Sequence, residues 1–494
     1  MKHTRHLEYL AVAMLLAAFF GFFAVKIWDI DFWWHLAAGK NTLENFAIPS
    51  VDPFGVYDAD NIWGQTVLKS QWLGQVLLYG AYRALGLDGI IYLRAAILTL
   101  CLFIVYLRCR LNATPKLFAV GITALTGMAI LHFTGDRPQL FSFLYLSLIF
   151  LLLDSYLRYQ RRGLLYCIPA VMLLWSNTHG GAVLGAALLA LFGCAYTLER
   201  WLTAKNSSAS PVSFPAQLPK LTLLIVALSV ATLLLTPNGL TTFKYLLFLE
   251  NSPIRDRVSE YAPPWKMWEA TRYYWVLLAI TVVALPGLLK RIYFKQLILV
   301  VAIALISLTG YRYIPFFALL SAPYVAASLG RMLGRINPPG NAVNLATIAI
   351  ALALTVYGIK QHQTFQRGFV AQRFPVGAVK FMQQNMLGGK VFNTMNWGGY
   401  LIWHLDKAVT IYIDGRMLDP KRVLPYTNIL WATDGGQQLL EQGDFDLVLL
   451  PYGNAFSGEK YPLTDYLSRH PGWQLIYRDQ SGVLFSKVRT LQLD

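Results

Sequence analysis

The residues best suited to chemistry in this sequence begin with two carboxylates that follow the first apolar run. Asp29 and Asp31 stand two residues apart in WDIDFWWHLAAGK (28–40), beside His35 and a pair of tryptophans. A carboxylate in such a position can take a proton from an attacking hydroxyl group. Asp29, Asp31 and His35 could also ligate a divalent cation. The segment therefore predicts a general base or a metal site, and Trp34 and His35 are expected to bind substrate.

Further polar residues stand at the ends of other apolar runs, in short motifs. A guanidinium group can donate two parallel hydrogen bonds to a phosphate group, and Arg and His can neutralise charge that grows on a departing phosphate. Asn238 and Glu260, in the long connection 237–272, are expected to bind substrate. The predicted phosphate-binding residues are Arg94, Arg137 of TGDRPQLF (134–141), His179 of WSNTHGG (175–181) and Arg312 of GYRYIPFF (310–317).

Each of these residues also has a purely structural interpretation. An aspartate at a helix end can cap the helix, and an arginine near the membrane boundary can extend to the lipid headgroups. The Trp33-Trp34 pair can belong to an aromatic belt at the interface. The functional interpretation requires that all the polar motifs open to one side of the membrane, so it depends on topology.

The composition is that of a membrane protein. Of the 494 residues, 56% are hydrophobic and 14% are charged, whereas soluble domains carry about 25% charged residues. This excludes an ordinary cytosolic enzyme, a disordered chain and a disulfide-stapled scaffold. The formal net charge of +16 is attributed to Lys and Arg in cytoplasmic loops. We expect no nucleic-acid partner, since no motif for reading nucleic acid is present.

About eleven transmembrane helices are predicted in a first domain, residues 1–360. A span needs about 20 apolar residues, and the first run is interpreted as a membrane anchor and not as a removed signal peptide. Residues 70–86, short and containing Arg83, are predicted to form a helix on the membrane surface. The predicted spans are 8–28, 89–107, 116–133, 138–157, 163–177, 181–199, 220–236, 273–289, 295–310, 313–330 and 341–359.

The distribution of Lys and Arg predicts a cytoplasmic N-terminus and an extracytoplasmic C-terminal domain. Alternate connections are rich in these residues, while the short connections on the other side hold only Arg137 and Arg312. The polar motifs then open to the outer side, together with an acidic first outer loop, 29–70. The residues that assign the inner side are Lys2, Arg5, Arg108, Arg110, Lys116, Arg158, Arg161, Arg162, Arg200, Lys205, Lys220, Lys290, Arg291, Lys295, Arg331 and Arg335.

Residues 365–494 predict an extracytoplasmic α/β domain. The run FDLVLLP (445–451) is almost continuously apolar, as is typical of a strand buried on both faces. Asn396, Asp414 and Arg416 are interpreted as turn and packing residues, and the domain as a lid or docking platform. Helices are predicted near 375–387, 421–431, 434–442 and 462–470, and strands at 391–393, 408–413, 445–451, 473–478 and 482–488.

The motifs and their order resemble those of bacterial GT-C glycosyltransferases, integral membrane enzymes that use polyprenyl-phosphate-linked sugars. The resemblance covers most of the chain. It rests on the acidic motif after the first span, RPQ (137–139), NTHGG (177–181), TPNG (236–239) and RYIPFF (312–317). NWGGYLIWHL (396–405) and IYIDGR (411–416) resemble the extracytoplasmic domain of a poorly characterised branch of these proteins.

The resemblance implies that Asp31 is the catalytic carboxylate, with Asp29 as its partner. The acidic pair here is Asp-x-Asp, whereas the protein-O-mannosyl and aminoarabinose transferases tend to show adjacent Asp-Glu. The expected location is the bacterial inner membrane, and the expected partners are a polyprenyl-phosphate-linked sugar donor, the lipid bilayer and an extracytoplasmic glycan, lipid or protein acceptor. The sequence has neither a P-loop nor a Rossmann glycine motif, as expected if the donor is not a nucleotide sugar.

Three other functions remain open on the sequence alone. An oligosaccharyltransferase or ligase would move a preassembled glycan with the same residues. A non-enzymatic transporter of lipid-linked sugars would place polar residues near the middle of the membrane, often in repeated halves. A structural subunit of a cell-envelope complex is the last alternative, because a fold alone does not fix a function.

Overall fold

The computed structural model describes residues 2–56, 62–204, 217–250, 259–289, 293–334, 339–361, 366–405, 407–416, 420–453 and 458–488. Lys205, Lys290, Arg291 and Arg335, which contributed to the predicted orientation, lie outside these residues. The helices that precede the C-terminal sheet are α1 (Lys2–Phe23), α2 (Phe32–Asn45), α3 (Ile62–Ser70), α4 (Trp72–Leu111), α5 (Lys116–Ala129), α6 (Gln139–Tyr159), α7 (Gly163–Thr178), α8 (Ala182–Ala204), α9 (Gln217–Ala231), α10 (Thr241–Glu250), α11 (Trp268–Ala284), α12 (Phe294–Thr309), α13 (Ile314–Met332) and α14 (Gly340–Gln361).

The apolar helices identify a multi-pass membrane protein. In the described residues, seven helices are long and apolar enough to cross a membrane, and each overlaps a predicted span. The other four predicted spans fall on shorter apolar helices, Lys116–Ala129, Gly163–Thr178, Lys220–Leu234 and Phe294–Thr309. The seven long segments are His6–Phe23, Trp72–Leu111, Gln139–Tyr159, Ala182–Trp201, Pro264–Leu288, Tyr311–Met332 and Gly340–Lys360.

The chain divides into two compact units. The first consists of Met1–Lys26, Ala84–Thr242 and Arg255–Arg367, and is called the helical unit. The second consists of Ile27–Arg83, Phe243–Ile254 and Gly368–Asp494, and is called the sheet unit. Residues 29–70, predicted to form the first outer loop, are thus grouped with the C-terminal residues, which the sequence did not indicate.

Helix α13 forms the core of the helical unit, packed against α5, α6, α11 and α12. It is buried along almost its whole length and is rich in small residues, which allow helices to approach closely. Pro323 lies inside the helix and lacks an N–H group, so the carbonyl of Leu319 loses its usual helical donor. Arg108 of α4 donates to this carbonyl at 3.0 Å, and also forms a buried ion pair with Asp154 of α6 at 2.7 Å.

The segment 70–86 ends at a break in helix α4. Leu85 and Gly86 have non-helical backbone angles, and φ of Gly86 is +62°. Because non-glycine residues rarely adopt this conformation, Gly86 separates the helix before it from the apolar span after it. The segment is helical, as predicted; its position at the membrane surface stays a prediction.

The C-terminal part of the sheet unit is an α/β fold with a five-stranded sheet in the order β2-β1-β3-β5-β4. Strand β1 pairs in parallel with β2 and β3, and β5 runs antiparallel to both of its neighbours, β3 and β4. The predicted strand FDLVLLP becomes β3, the central strand, with Leu447 to Leu450 buried. The elements of this α/β fold are α15 (Val376–Gln384), β1 (Gly389–Asn393), α16 (Met395–His404), β2 (Val409–Ile411), α17 (Pro420–Leu430), α18 (Asp434–Gln442), β3 (Leu447–Pro451), α19 (Pro462–Arg469), β4 (Trp473–Arg478) and β5 (Gly482–Lys487).

Helix α16 connects this fold to the first outer loop. It contains NWGG of the NWGGYLIWHL motif and packs against α2, the helix that follows Asp31. The core between the sheet and its helices is formed by buried residues such as Phe392, Val448 and Phe485. The sheet unit therefore packs a helix of its C-terminal fold against the helix that follows Asp31.

Candidate functional site

Four of the predicted site residues come together in the helical unit. Arg137 precedes α6, His179 follows α7, Glu260 lies in the turn Ser259–Tyr261, and Arg312 lies in the turn Tyr311–Tyr313 before α13. Arg137 forms an ion pair with Glu260, and the guanidinium group of Arg312 lies 4.7 Å from the centre of the Tyr261 ring. These four residues are called the motif cluster. Arg137, Glu260 and Arg312 are all close enough to His179 to act on its charge, and the side of the membrane on which the cluster lies stays a prediction.

Hydrogen bonds to His179 determine which nitrogen of its ring carries the proton. The backbone N–H of Gly181 donates to Nδ1 at 3.0 Å, so Nδ1 is an acceptor. Ser142 Oγ accepts from Trp175 Nε1 at 2.7 Å and lies 2.8 Å from the same Nδ1, to which it can donate its own proton. The neutral ring must then carry its proton on Nε2, which leaves Nε2–H as a hydrogen-bond donor.

The glycines of the NTHGG motif explain how this contact arises. A Cβ atom on Gly181 would lie 2.6 Å from Ser142 Oγ and 2.9 Å from His179 Nδ1, so a side chain would displace the imidazole. A Cβ atom on Gly180 would contact nothing within 4 Å. The second glycine therefore allows the close approach, and the first is not needed for it.

The electrostatics of the motif cluster favour an anion. Burial, reinforced by Arg312 and Arg137, lowers the pKa of His179 to about 3, so the ring is neutral at physiological pH. Burial alone would raise the pKa of Glu260, but Arg137 and Arg312 outweigh it and lower that pKa. The cluster thus holds two guanidinium charges and one carboxylate charge, and keeps one positive charge in excess.

Arg94, also predicted to bind phosphate, has a different environment. It is fully buried and forms an ion pair with Asp136 at 2.6 Å. It also donates to the carbonyl groups of Phe23 at 2.9 Å, Thr134 at 3.4 Å and Val25. These bonds hold the end of α1, α4 and the connection before α6 together, and they favour a structural role for Arg94.

Asn238, predicted to bind substrate, lies in the turn before α10. Its carbonyl group accepts a hydrogen bond from the N–H of Thr241 at 2.9 Å. The next residue, Gly239, has a φ of +48°. The TPNG motif thus forms a tight turn that needs its glycine, and the role of Asn238 in substrate binding stays a prediction.

The predicted catalytic carboxylates lie in the sheet unit, at the start of α2. Asp31 occupies the N-cap position, but its side chain does not cap the helix. The buried Asp29 accepts a hydrogen bond at Oδ1 from the backbone N–H of Asp31 at 3.0 Å. Asp29 thus stabilises the turn that leads into α2 through the backbone of Asp31.

His35 and Trp34 follow on the same helix and are both buried. His35 Nδ1 lies 3.3 Å from Gln75 Nε2, and its ring lies against that of Trp34, with the ring centres 3.6 Å apart. Among the described residues, no three His, Cys, Asp or Glu side chains are grouped closely enough to hold a metal ion. A metal-binding role for Asp29, Asp31 and His35 stays a prediction.

A second charged group of the sheet unit was not recognised as part of a site from the sequence. Arg416, interpreted as a packing residue, is buried and forms ion pairs with Asp414 and with Asp52, the latter at 2.6 Å. A Cβ atom on Gly415, between them, would collide with Oδ1 of Asp31. The IYIDGR motif (411–416) contains Gly415 and Arg416 and is the sequence signal for this contact.

Comparison with solved structures identifies the fold. The archaeal oligosaccharyltransferase AglB from Archaeoglobus fulgidus, solved with an inhibitory peptide and a dolichol-phosphate, matches with a TM-score of 0.58 and 13% identity, over 90% of this chain and 69% of that one. ArnT from Cupriavidus metallidurans, bound to undecaprenyl phosphate, matches with a TM-score of 0.53 and 13% identity, over 98% of both chains. The arabinofuranosyltransferase AftD from Mycobacteria matches with a TM-score of 0.58 and 13% identity, over 98% of this chain and 40% of that one.

No protein-family model and no curated protein sequence matches this chain. At 13% identity the three structures show the fold and not the activity. The resemblance noted from the sequence motifs is confirmed at that level, since AglB, ArnT and AftD are GT-C glycosyltransferases. The protein is a multi-pass membrane protein with the GT-C fold.

Proposed function

We propose that the protein is a membrane glycosyltransferase that moves a sugar from a polyprenyl-phosphate-linked donor to an extracytoplasmic acceptor. The observation that carries the proposal is the motif cluster of Arg137, His179, Glu260 and Arg312, in a chain with the GT-C fold. Its excess positive charge suits a phosphate ester, because guanidinium groups bind phosphate with charge-assisted hydrogen bonds. AglB and ArnT, which share the fold, were solved with dolichol-phosphate and undecaprenyl phosphate.

Within the cluster, Arg312 is proposed as the main phosphate ligand. Arg137 is already paired with Glu260, whereas Arg312 lies against an aromatic ring. The Nε2–H group of His179 supplies a neutral donor to the same phosphate. As the bond to the sugar breaks, these donors stabilise the charge that grows on the phosphate oxygens.

The proposed reaction is a single displacement. The oxygen of an acceptor hydroxyl group forms a bond to the anomeric carbon of the sugar, and the bond between that carbon and the phosphate oxygen breaks. The hydroxyl proton passes to the carboxylate of Asp31, and the electron pair of the broken bond stays on the polyprenyl phosphate. Asp31 is proposed as the base because it stands in the acidic motif after the first span, where the resemblance to GT-C glycosyltransferases places the catalytic carboxylate.

Two readouts test the proposal separately. Arg312→Gln should weaken the binding of undecaprenyl phosphate to the purified protein about 10- to 100-fold, as expected for the loss of a charged hydrogen bond. Arg272→Gln is the matched control, because Arg272 is exposed near the start of α11. Unchanged binding in Arg312→Gln, or an equal loss in the control, would contradict the assignment of the phosphate site.

The second readout is sugar transfer in a bacterial strain that lacks the gene. Asp31→Asn should abolish transfer, so that a lipid-linked sugar accumulates and an envelope product disappears, while undecaprenyl phosphate still binds. Transfer that continues in Asp31→Asn would end the proposal.

An oligosaccharyltransferase is the second candidate, since AglB has the same fold. The mass added to the acceptor separates the two activities, because a glycosyltransferase adds one sugar and an oligosaccharyltransferase adds many. A carrier lipid that accumulates on the cytoplasmic leaflet of the deletion strain, with no change in product mass, would instead indicate a transporter.

A further inference from the structure

We propose that the loop Asp414-Gly415-Arg416 positions the carboxylate of Asp31 for proton transfer, which makes the C-terminal fold part of the active site and not only a lid. This inference rests on the proposed function of Asp31 as the general base. It assigns positioning roles to Gly415 and Arg416, neither of which is proposed to touch the substrate.

The first observation is the close approach of Asp31 to the loop backbone. A Cβ atom on Gly415 would collide with Oδ1 of Asp31, and would lie 3.5 Å from Trp34 Nε1. The φ angle of Gly415 is not in the left-handed region, so backbone conformation does not require a glycine here. The lack of space requires a glycine, because the carboxylate of Asp31 occupies the volume that a side chain at position 415 would fill.

The second observation is that Arg416 is held rigidly. Its Nε donates to both carboxylate oxygens of Asp414 at 3.0 Å, and its backbone N–H donates to Asp414 Oδ1 at 2.8 Å. Its other nitrogens bind Asp52 at 2.6 and 3.3 Å. Asp52 in turn accepts from the N–H groups of Phe54 and Val56. A buried guanidinium group with so many bonds fixes the loop against the first outer loop.

The third observation is that α16 supports the same segment from another side. A Cβ atom on Gly399 would lie 3.2 Å from the backbone nitrogen of Trp34 and 3.3 Å from the carbonyl oxygen of Ile30. A Cβ atom on Gly398 would collide with the backbone at Ile413. The two glycines therefore bring α16 against the residues on both sides of Asp31 and against the strand end that leads into the loop.

These contacts have a mechanistic consequence. A general base must lie within hydrogen-bond reach of the proton that it removes, and a displacement of about 1 Å can lower a rate about 100-fold. Oδ1 of Asp31 lies against the backbone of Gly415, so this backbone restrains the two rotatable bonds of the Asp31 side chain. The ion pairs of Arg416 keep Gly415 in place.

Gly415→Ala tests this inference, with Gly435→Ala as the matched control because a Cβ atom there contacts nothing within 4 Å. The assay uses membrane vesicles that carry isotope-labelled endogenous lipid-linked sugars. The substrate is the labelled lipid that the wild-type protein consumes and Asp31→Asn leaves intact. We expect Gly415→Ala to consume this lipid about 100-fold more slowly, to bind undecaprenyl phosphate as the wild type does, and Gly435→Ala to behave normally.

A second measurement distinguishes positioning from general damage. If Gly415 acts through Asp31, Gly415→Ala should slow consumption of the labelled lipid while its unfolding midpoint and its affinity for undecaprenyl phosphate stay at the wild-type values. A wild-type rate in Gly415→Ala while Asp31→Asn is inactive would overturn the positioning role and leave the proposed function intact. A slower rate accompanied by a lower unfolding midpoint or a weaker affinity would also overturn it, and transfer by Asp31→Asn would overturn the proposed function itself.

Discussion

The neutral imidazole of His179 should make the folded protein less stable as the pH falls. In the unfolded chain a histidine has a pKa of about 6.5, whereas in the fold that of His179 is lowered to about 3 by burial and by two arginines. Between these values the unfolded chain takes up a proton that the folded protein does not. The contribution to stability is therefore fully present above pH 6.5 and is lost as the pH falls toward 3.

The size of the effect follows from the pKa difference. At pH 5.5, one unit below the unfolded pKa, protonation of the unfolded chain lowers the free energy of unfolding by about 1.4 kcal/mol relative to pH 7.5. The measurement is the unfolding midpoint of the purified protein at pH 7.5 and 5.5, compared with that of His179→Gln, which cannot take up this proton. His404, whose pKa burial lowers to about 4, titrates in both proteins and cancels in the comparison. Parallel losses in the two proteins would refute the assignment of a neutral His179.

Two further changes probe the helical unit. Gly181→Ala should displace the imidazole of His179 and weaken the binding of undecaprenyl phosphate severalfold. The control variant Gly180→Ala should bind normally, because its Cβ atom contacts nothing within 4 Å. Equal affinities in the two variants would show that binding does not need the close approach at Gly181. Arg108→Met should destabilise the protein by about 3–5 kcal/mol, because it leaves Asp154 buried without its ion pair. Arg108→Met with Asp154→Leu should recover part of the lost stability in thermal unfolding, and a double variant weaker than the single one would contradict this explanation.

The helices and most strands could be predicted from the sequence because their signals are local. A run of apolar residues of sufficient length specifies a span, and FDLVLLP (445–451) specifies a buried strand. Helix α16 gave no such signal, since NWGGYLIWHL (396–405) contains two adjacent glycines, which disfavour a helix. Its packing against α2 explains the glycines, and this contact joins residues far apart in the sequence.

The site was predictable in its residue types and less so in their roles. Arg137, His179, Glu260 and Arg312 were selected from their positions next to apolar runs, and the structure brings them together. Arg94 was selected in the same way, but it binds backbone carbonyl groups whose positions depend on how the chain bends after α1. A charged residue next to a span can thus either bind a ligand or stabilise the protein through bonds to its own backbone. Only the three-dimensional contacts of the residue distinguish these two roles.

The charges of the two units predict which variants should change the affinity for the lipid phosphate and which should change the rate of transfer. The motif cluster has an excess of guanidinium groups, whereas Arg416, next to the Gly415 that Asp31 approaches, is paired with two carboxylates, Asp52 and Asp414. A phosphate group binds to the first type of environment and is repelled by the second. Variants of Arg312 should therefore change the affinity for the lipid phosphate, and variants of Asp31 should change the rate alone. A transporter would need only the first property, so a change that stops product formation while binding persists favours an enzyme.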